Sequence, residues 1–186
     1  QGIGIKTKML SPVESIGLFF VHFGRECVGN QMRLGIRKDQ KNSSVIRISL
    51  KPFMSKYEEK LSILSEMISL ARVNQGIKDV EFEFLWGVAE QLGVDREDFE
   101  SLFDSPVRNI IPKTLLQRII QFHRLVLLMN VDREQTFKEI DKLHNIGLRM
   151  GLPPSAIDQV LVIMHQYPDM IIPPKVLVDI FKAHYN

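Results

Sequence analysis

Four oxygen-bearing side chains stand at matched places in this sequence. Asn74 and Glu81 are seven residues apart, and so are Asp132 and Glu139, which lie 58 positions further on. Asp and Glu carboxylates, helped by amide oxygens, are the usual ligands of a hard divalent cation such as Ca²⁺ or Mg²⁺. Two neighbouring carboxylates can also divide acid and base work when burial separates their proton affinities. A plainer chemistry is local: Asp132 caps a helix, and Glu81 is an acidic first-turn residue that the helix dipole favours. Asn74 removes one negative charge from the set. The four meet in one cleft only if the two stretches pack with pseudo-twofold symmetry.

Other reactive groups are sparse. No HExxH, GxxxxGK[ST] or GxSxG pattern occurs, so zinc-protease, P-loop and nucleophile-elbow chemistries have no sequence support. Neither turn carries the alternating ligand ladder of an EF-hand. His123, His144, His165 and His184 have no zinc-ligand spacing. His144 takes the repeat position of Trp86, which suits a partly buried ring. Cys27 is the single cysteine, so no intrachain disulfide forms, and the chain fits a reducing compartment. Met67, Met129, Met150 and Met164 fall on apolar faces and read as core filler.

The elements that carry these residues are helical. The offset of 58 brings "VNQGIKDVEFEFLWGVAEQLGVDREDFESLF" (73–103) onto "VDREQTFKEIDKLHNIGLRMGLPPSAIDQVL" (131–161) without a gap. Leu85 meets Leu143, Val88 meets Ile146 and Gly93 meets Gly151. Each copy reads as three helices. The first opens at Ser55, with Glu58 at capping-box spacing, and turns Leu61, Leu64, Met67, Ile68 and Ala71 inward. The second runs from about Asp79 to Leu92, with Phe82, Leu85, Trp86, Ala89 and Leu92 inward, and stops at Gly93. Asp95 caps the third. In the second copy a helix follows Pro112, Asp132 with Gln135 opens the next, Gly151 ends it, and Pro153 and Pro154 start the sixth. Pro173 and Pro174 start a seventh. Two copies are too few for an open solenoid. The expectation is an all-α, compact bundle of about seven helices, two pseudo-symmetric three-helix repeats packed face to face over 54–186.

Residues 1–53 differ from the rest. They carry nine Lys/Arg and three Asp/Glu, whereas 54–186 carry fifteen and nineteen. One short strand is expected at 44–50, where apolar and polar residues alternate. The segment reads as a poorly structured extension or as translation upstream of Met54; a basic, partner-binding arm is the alternative. No apolar run approaches the span of about 20 residues that a membrane helix needs. The acidic body gives no electrostatic reason to bind nucleic acid. The segment 89–103 has helix-turn-helix spacing, but its second helix is acidic where a recognition helix would be basic or amide-rich.

The stretch "LARVNQGIKDVEFEFLWGVAEQLGV" resembles the TerB-like tellurite-resistance family, over about residues 55–186. In that family a helix leads to Ala-Asp-Gly, a turn with Ile or Val, and a Glu opening the next helix. Val73, Asn74, Gln75, Ile77 and Glu81 hold those places here, and Asp132 and Glu139 repeat two of them. The resemblance implies an internally symmetric helical bundle with a cation-binding acidic cleft. It also implies a place in bacterial stress or metal-resistance complexes, in the cytoplasm or peripherally at the inner membrane surface, without a reaction of its own. Asn74 and Gln75 depart from the pattern, leaving Glu81, Asp132 and Glu139 as the carried-over residues. The leading expectation is a non-enzymatic scaffold that binds a protein partner. A metal-dependent enzyme built on Glu81 and Glu139 comes second, and a nucleic-acid module using residues 1–53 third.

Overall fold

The computed structural model describes residues 51–74 and 76–185, with side chains from residue 56 onward. The strand expected at 44–50, Cys27 and Gln75 lie outside these residues. Among the described residues seven α-helices follow one another: α1 (Lys51–Ala71), α2 (Asp79–Leu92), α3 (Arg96–Asp104), α4 (Leu115–Asn130), α5 (Phe137–Arg149), α6 (Pro154–Ile163) and α7 (Pro174–Ala183). Short 3₁₀ turns cover Arg72–Asn74, Met164–Gln166 and Pro168–Met170. The described residues contain no strand. None of their helices is long and apolar enough to cross a membrane.

Helix ends follow the punctuation of the sequence in most places. Gly93 and Gly151 both take the left-handed conformation, at φ 66° and 72°. Behind each, the next residue bonds back into the helix, Val94 N–H to Ala89 O and Leu152 N–H to Gly147 O. Val94 and Leu152 are buried against the helix they close. Asp95 caps α3 by accepting from the Asp98 N–H at 2.9 Å. Pro154 and Pro174 occupy first-turn positions, where a missing N–H breaks no helical bond.

Two starts differ from expectation. Helix α1 begins at Lys51, so Ser55 lies inside it and does not cap it. Pro52 is tolerated there because first-turn donors have no helical partner. Helix α5 begins after Thr136, whose side chain accepts from the Glu139 N–H. Asp132 is not its cap. Asp132 Oδ1 accepts from the Glu134 N–H at 2.9 Å instead, and Arg133 beside it sits at φ 62°, which no helix accommodates.

The core lies between the two copies. Helix α4 runs through its middle, and every residue from 121 to 130 is buried. A helix buried all round must satisfy its polar side chains internally. His123 Nε2 lies 3.2 Å from the Ile172 carbonyl, and Asn130 Nδ2 donates to the Met170 carbonyl at 3.2 Å. Around α4 pack α1 and α5, with α7 against both α4 and α6. Met67, Met129, Met150 and Met164 are all buried, as expected of core filler. On α2 the fully buried face is Phe84, Leu85, Val88 and Ala89, a rotation from the expected one. Phe82 and Trp86 are half-buried and turn sideways onto Phe99 of α3, at ring distances of 5.7 and 5.4 Å. The Arg96 guanidinium covers Trp86 at 4.7 Å.

Two reciprocal contacts express the pseudo-twofold relation. Lys78 Nζ donates to Asp132 Oδ2 at 2.6 Å, and Thr136 Oγ1 donates to Asn74 Oδ1 at 3.0 Å. Thr136 is the counterpart of Lys78, and Asp132 of Asn74, at the offset of 58. A contact i to j matched by its image j to i is the signature of an isologous interface. Copy equivalence also shows in tight packing. Gly147 of α5 matches Ala89 of α2, and a Cβ on Gly147 would lie 2.7 Å from Ile157 Cδ1 and 3.0 Å from Phe122 Cε2. Ile157 and Phe122 leave no room for a methyl there, and they stand where the first copy has Phe99 and Leu64.

Candidate functional site

The four residues singled out from sequence do come to one corner. The turn before α2 and the turn before α5 meet there, joined by the Lys78–Asp132 and Thr136–Asn74 bonds. Glu81 and Glu139 occupy the third helical position of each and are buried, 4% and 2% exposed. Each turns back on its own helix start. Glu81 Oε2 accepts from the Lys78 N–H at 2.8 Å, and Glu139 Oε2 accepts from the Thr136 N–H at 2.8 Å. Lysine has no acceptor, so the box at α2 has only its glutamate half, whereas Thr136 and Glu139 complete both halves.

Burial pushes the Glu81 carboxyl above its ordinary value. The Lys78 backbone bond opposes that rise, while the charges of Asp132 and Glu139 add to it. Asn74 is exposed and engaged by Thr136. Asp132 is held by the Lys78 ammonium, which also reaches Glu134 Oε2 at 2.7 Å. These two bonds raise the Lys78 proton affinity. A lysine thus stands where a cation would bridge Asp132 to its neighbours. Among the described residues, no group of three or more His, Cys, Asp and Glu side chains is arranged to hold a metal ion.

The remaining sequence candidates are dispersed. His144 is half-buried in the slot equivalent to that of Trp86, and its Nε2 pairs with Asp158 at 3.1 Å. His165 is exposed. His184 lies between Ser155 and Gln159. Helix α3 exposes Glu97, Glu100 and Asp104, a poor match to a nucleic-acid groove.

A second site had no forecast from sequence. Along α1 and the 3₁₀ turn that follows it, the residues Ser62, Ser65, Glu66, Ser69 and Arg72 line a cleft of about 330 Å³. Their spacing of three and four puts them on one helix face. Pro106, Val107 and Asn109 form the opposite wall, Arg149 at the end of α5 closes one side, and Ile68 and Leu102 complete the lining. Glu66 is buried and binds both walls: Asn109 Nδ2 donates to Oε1 at 2.6 Å, and Arg149 Nη2 lies 3.4 Å from the same oxygen. Ser62 Oγ accepts from the Ile110 N–H at 2.7 Å and pins the 105–114 connection to α1. Burial raises the Glu66 carboxyl above its ordinary value, against the opposing effects of Asn109 and Arg149. The signal in sequence was the polar stripe beside the apolar stripe of α1, but only the fold brings Asn109 and Arg149 to it.

Comparison with protein-family models, with curated proteins and with solved structures found no match for this chain.

Proposed function

We propose that this chain is a non-enzymatic helical scaffold that binds a protein partner, as the TerB-like resemblance implies. Under this reading it works in the cytoplasm or against the inner face of a bacterial membrane, within a stress- or metal-resistance complex. The observation that supports it most is the open polar cleft along α1. Its walls are built by a buried carboxylate that fixes Asn109 and Arg149 in place, and preorganised polar walls lower the cost of binding. A photo-crosslinking residue at exposed Val107 of the full chain, in its native cell, tests the reading. One dominant protein adduct is expected. Adducts no different from those of the same probe at exposed Asp179 would end it.

A second reading, a Ca²⁺ or Mg²⁺ site at Glu81, Asp132, Glu139 and Asn74, is favoured by one observation. Burial raises the Glu81 carboxyl and the charges of Asp132 and Glu139 add to that rise; a divalent cation would relieve the added repulsion. Lys78 competes for the same place. Calorimetric titration of the full chain with each cation is the test, with expected heat lost in Glu81→Gln and Glu139→Gln and increased in Lys78→Ala. Heat unchanged in all three variants excludes the site.

A further inference from the structure

The cleft along α1 does not end at Ser62. A second groove, of about 640 Å³, is lined by Glu58, Leu61, Val107, Arg108, Ile110 and Ile111, with Asn109 shared between the two. The two grooves also have Val107 in common, and together they border α1 as one track along which the Ser62–Ile110 and Glu66–Asn109 bonds tie the 105–114 connection to the helix. From Glu58 to Arg72 the track follows α1 for about 21 Å at the helical rise. An extended peptide of about six residues has that length. A compact small molecule would fill only part of it.

The track is chemically polarised. At the Glu58 end, Leu61, Ile110 and Ile111 offer apolar surface between the exposed, oppositely charged Glu58 and Arg108, and Ile111 is 49% exposed. At the other end stand Arg72 and Arg149, both exposed. Arg72 donates from Nη2 to the Phe103 carbonyl, and its guanidinium lies over the Phe103 ring at 5.5 Å. One face of the guanidinium is thereby fixed while further N–H donors remain for a ligand. Glu66 is the one acid lining that end, and it is buried and bonded to Asn109 and Arg149. The arginine end is therefore cationic on a body with fifteen Lys/Arg and nineteen Asp/Glu over residues 54–186. Local charge of the sign opposite to the body selects a ligand by complementarity.

We propose that this track binds an extended acidic peptide segment of the partner, its apolar residues over Leu61 and Ile111 and its carboxylates between Arg72 and Arg149. The inference rests on the scaffold reading for its partner and adds that partner's chemistry. The hydroxyls of Ser65 and Ser69 suit the peptide backbone, and Glu66 acts as a positioning residue for Arg149 and Asn109.

The test is fluorescence anisotropy of the full chain with labelled octapeptides. One half of each is Leu-rich and the other Asp-rich, in both chain directions, with Asn-for-Asp counterparts as controls. Binding of one acidic direction is expected, weakened by salt and about tenfold weaker for each of Arg72→Ala and Arg149→Ala. Thermal unfolding checks that these exposed substitutions leave the fold intact. Equal binding of the Asn counterparts, or wild-type affinity in both variants, overturns the proposal. So does full displacement by citrate or inorganic phosphate at the concentration of the peptide, which assigns the site to a small anion. If the Val107 adduct forms and survives in the Arg72→Ala/Arg149→Ala variant, the scaffold reading stands and the acidic-peptide assignment fails. If no adduct forms while the peptide binds, the reverse holds.

Discussion

Gln121 donates from Nε2 to the carbonyl oxygen of Ile63 at 3.2 Å. The two residues are 58 apart and hold the same place in the two copies. A residue touches its own symmetry mate only beside the axis that relates them, so the pseudo-dyad passes between α1 and α4 at this point. In another matched pair, the charge of Glu139 adds to the burial that raises the Glu81 carboxyl.

Gln121 also accepts from Arg124 Nη1 at 3.3 Å. Gln121→Leu keeps the volume and removes both bonds, together with its hydrogen bond to buried Glu66. A loss of about 1–3 kcal/mol is expected, read as a lower urea midpoint. An unchanged midpoint would show that the axis contact is dispensable.

The Lys78–Asp132 pair joins the halves across the corner. Lys78→Ala and Asp132→Asn should each lower the melting temperature. The exchange Lys78→Asp with Asp132→Lys should restore most of the loss, because it keeps one charge of each sign at the joint. An exchange no better than the single variants would mean that the pair does not hold the corner.

Thr136 caps α5, completes the box with Glu139 and bonds Asn74. Thr136→Ala removes all of these side-chain contacts and should cost about 1–2 kcal/mol. Thr136→Ser keeps the hydroxyl and should recover most of it. Chemical denaturation of the two variants side by side makes the comparison.

Gly147→Ala places a methyl within 2.7 Å of Ile157 Cδ1. Overpacking of this kind costs about 1–3 kcal/mol. Adding Ile157→Val removes the offending carbon and should return part of that stability, and calorimetric melting of the single and double variants measures the coupling.

Stability should respond to pH through two opposing trends. Glu66 and Glu81 are raised above the ordinary 4.5. The folded protein holds their protons more tightly than the unfolded chain, so their contribution is complete below 4.5 and is lost as pH rises through the raised values. His123 is lowered from 6.5 to about 4 by burial. Its contribution is complete above 6.5 and is lost as pH falls toward 4, on the order of 3 kcal/mol at about 1.4 kcal/mol per tenfold change in proton affinity. Urea midpoints in buffers spanning both values should lose part of the fall with rising pH in Glu66→Gln, the rest belonging to Glu81, and the acid fall in His123→Gln.

The helical plan was legible because its punctuation is local. Gly93 and Gly151 must take a conformation that glycine tolerates best, and Asp95, Pro154 and Pro174 act within one turn. The start of α5 was misread because Asp132 with Gln135 and Thr136 with Glu139 fit the same capping rule. Thr136 wins because Glu139 completes its box, while Asp132 Oδ1 takes the Glu134 N–H and Oδ2 takes Lys78 from the other copy. The inward face of α2 was misread because Phe82 and Trp86 satisfy the helical period and yet bury themselves sideways, against α3. The corner itself was foreseen, since matched positions in a symmetric pair must meet if they lie near the axis. The cleft was not. In sequence Glu66 reads as a solvent-facing acid between Ser65 and Met67, and its partners Asn109 and Arg149 are 43 and 83 positions away.

The unequal character of the two reciprocal contacts favours pairing of unlike halves. Two first copies brought together would set Lys78 opposite Asn74, an ammonium facing a neutral amide. Two second copies would set Thr136 opposite Asp132, leaving that carboxylate without a counter-ion. Only the unlike combination gives one matched charge pair and one matched neutral pair, so divergence at 74, 78, 132 and 136 disfavours like-with-like association between molecules crowded together during synthesis.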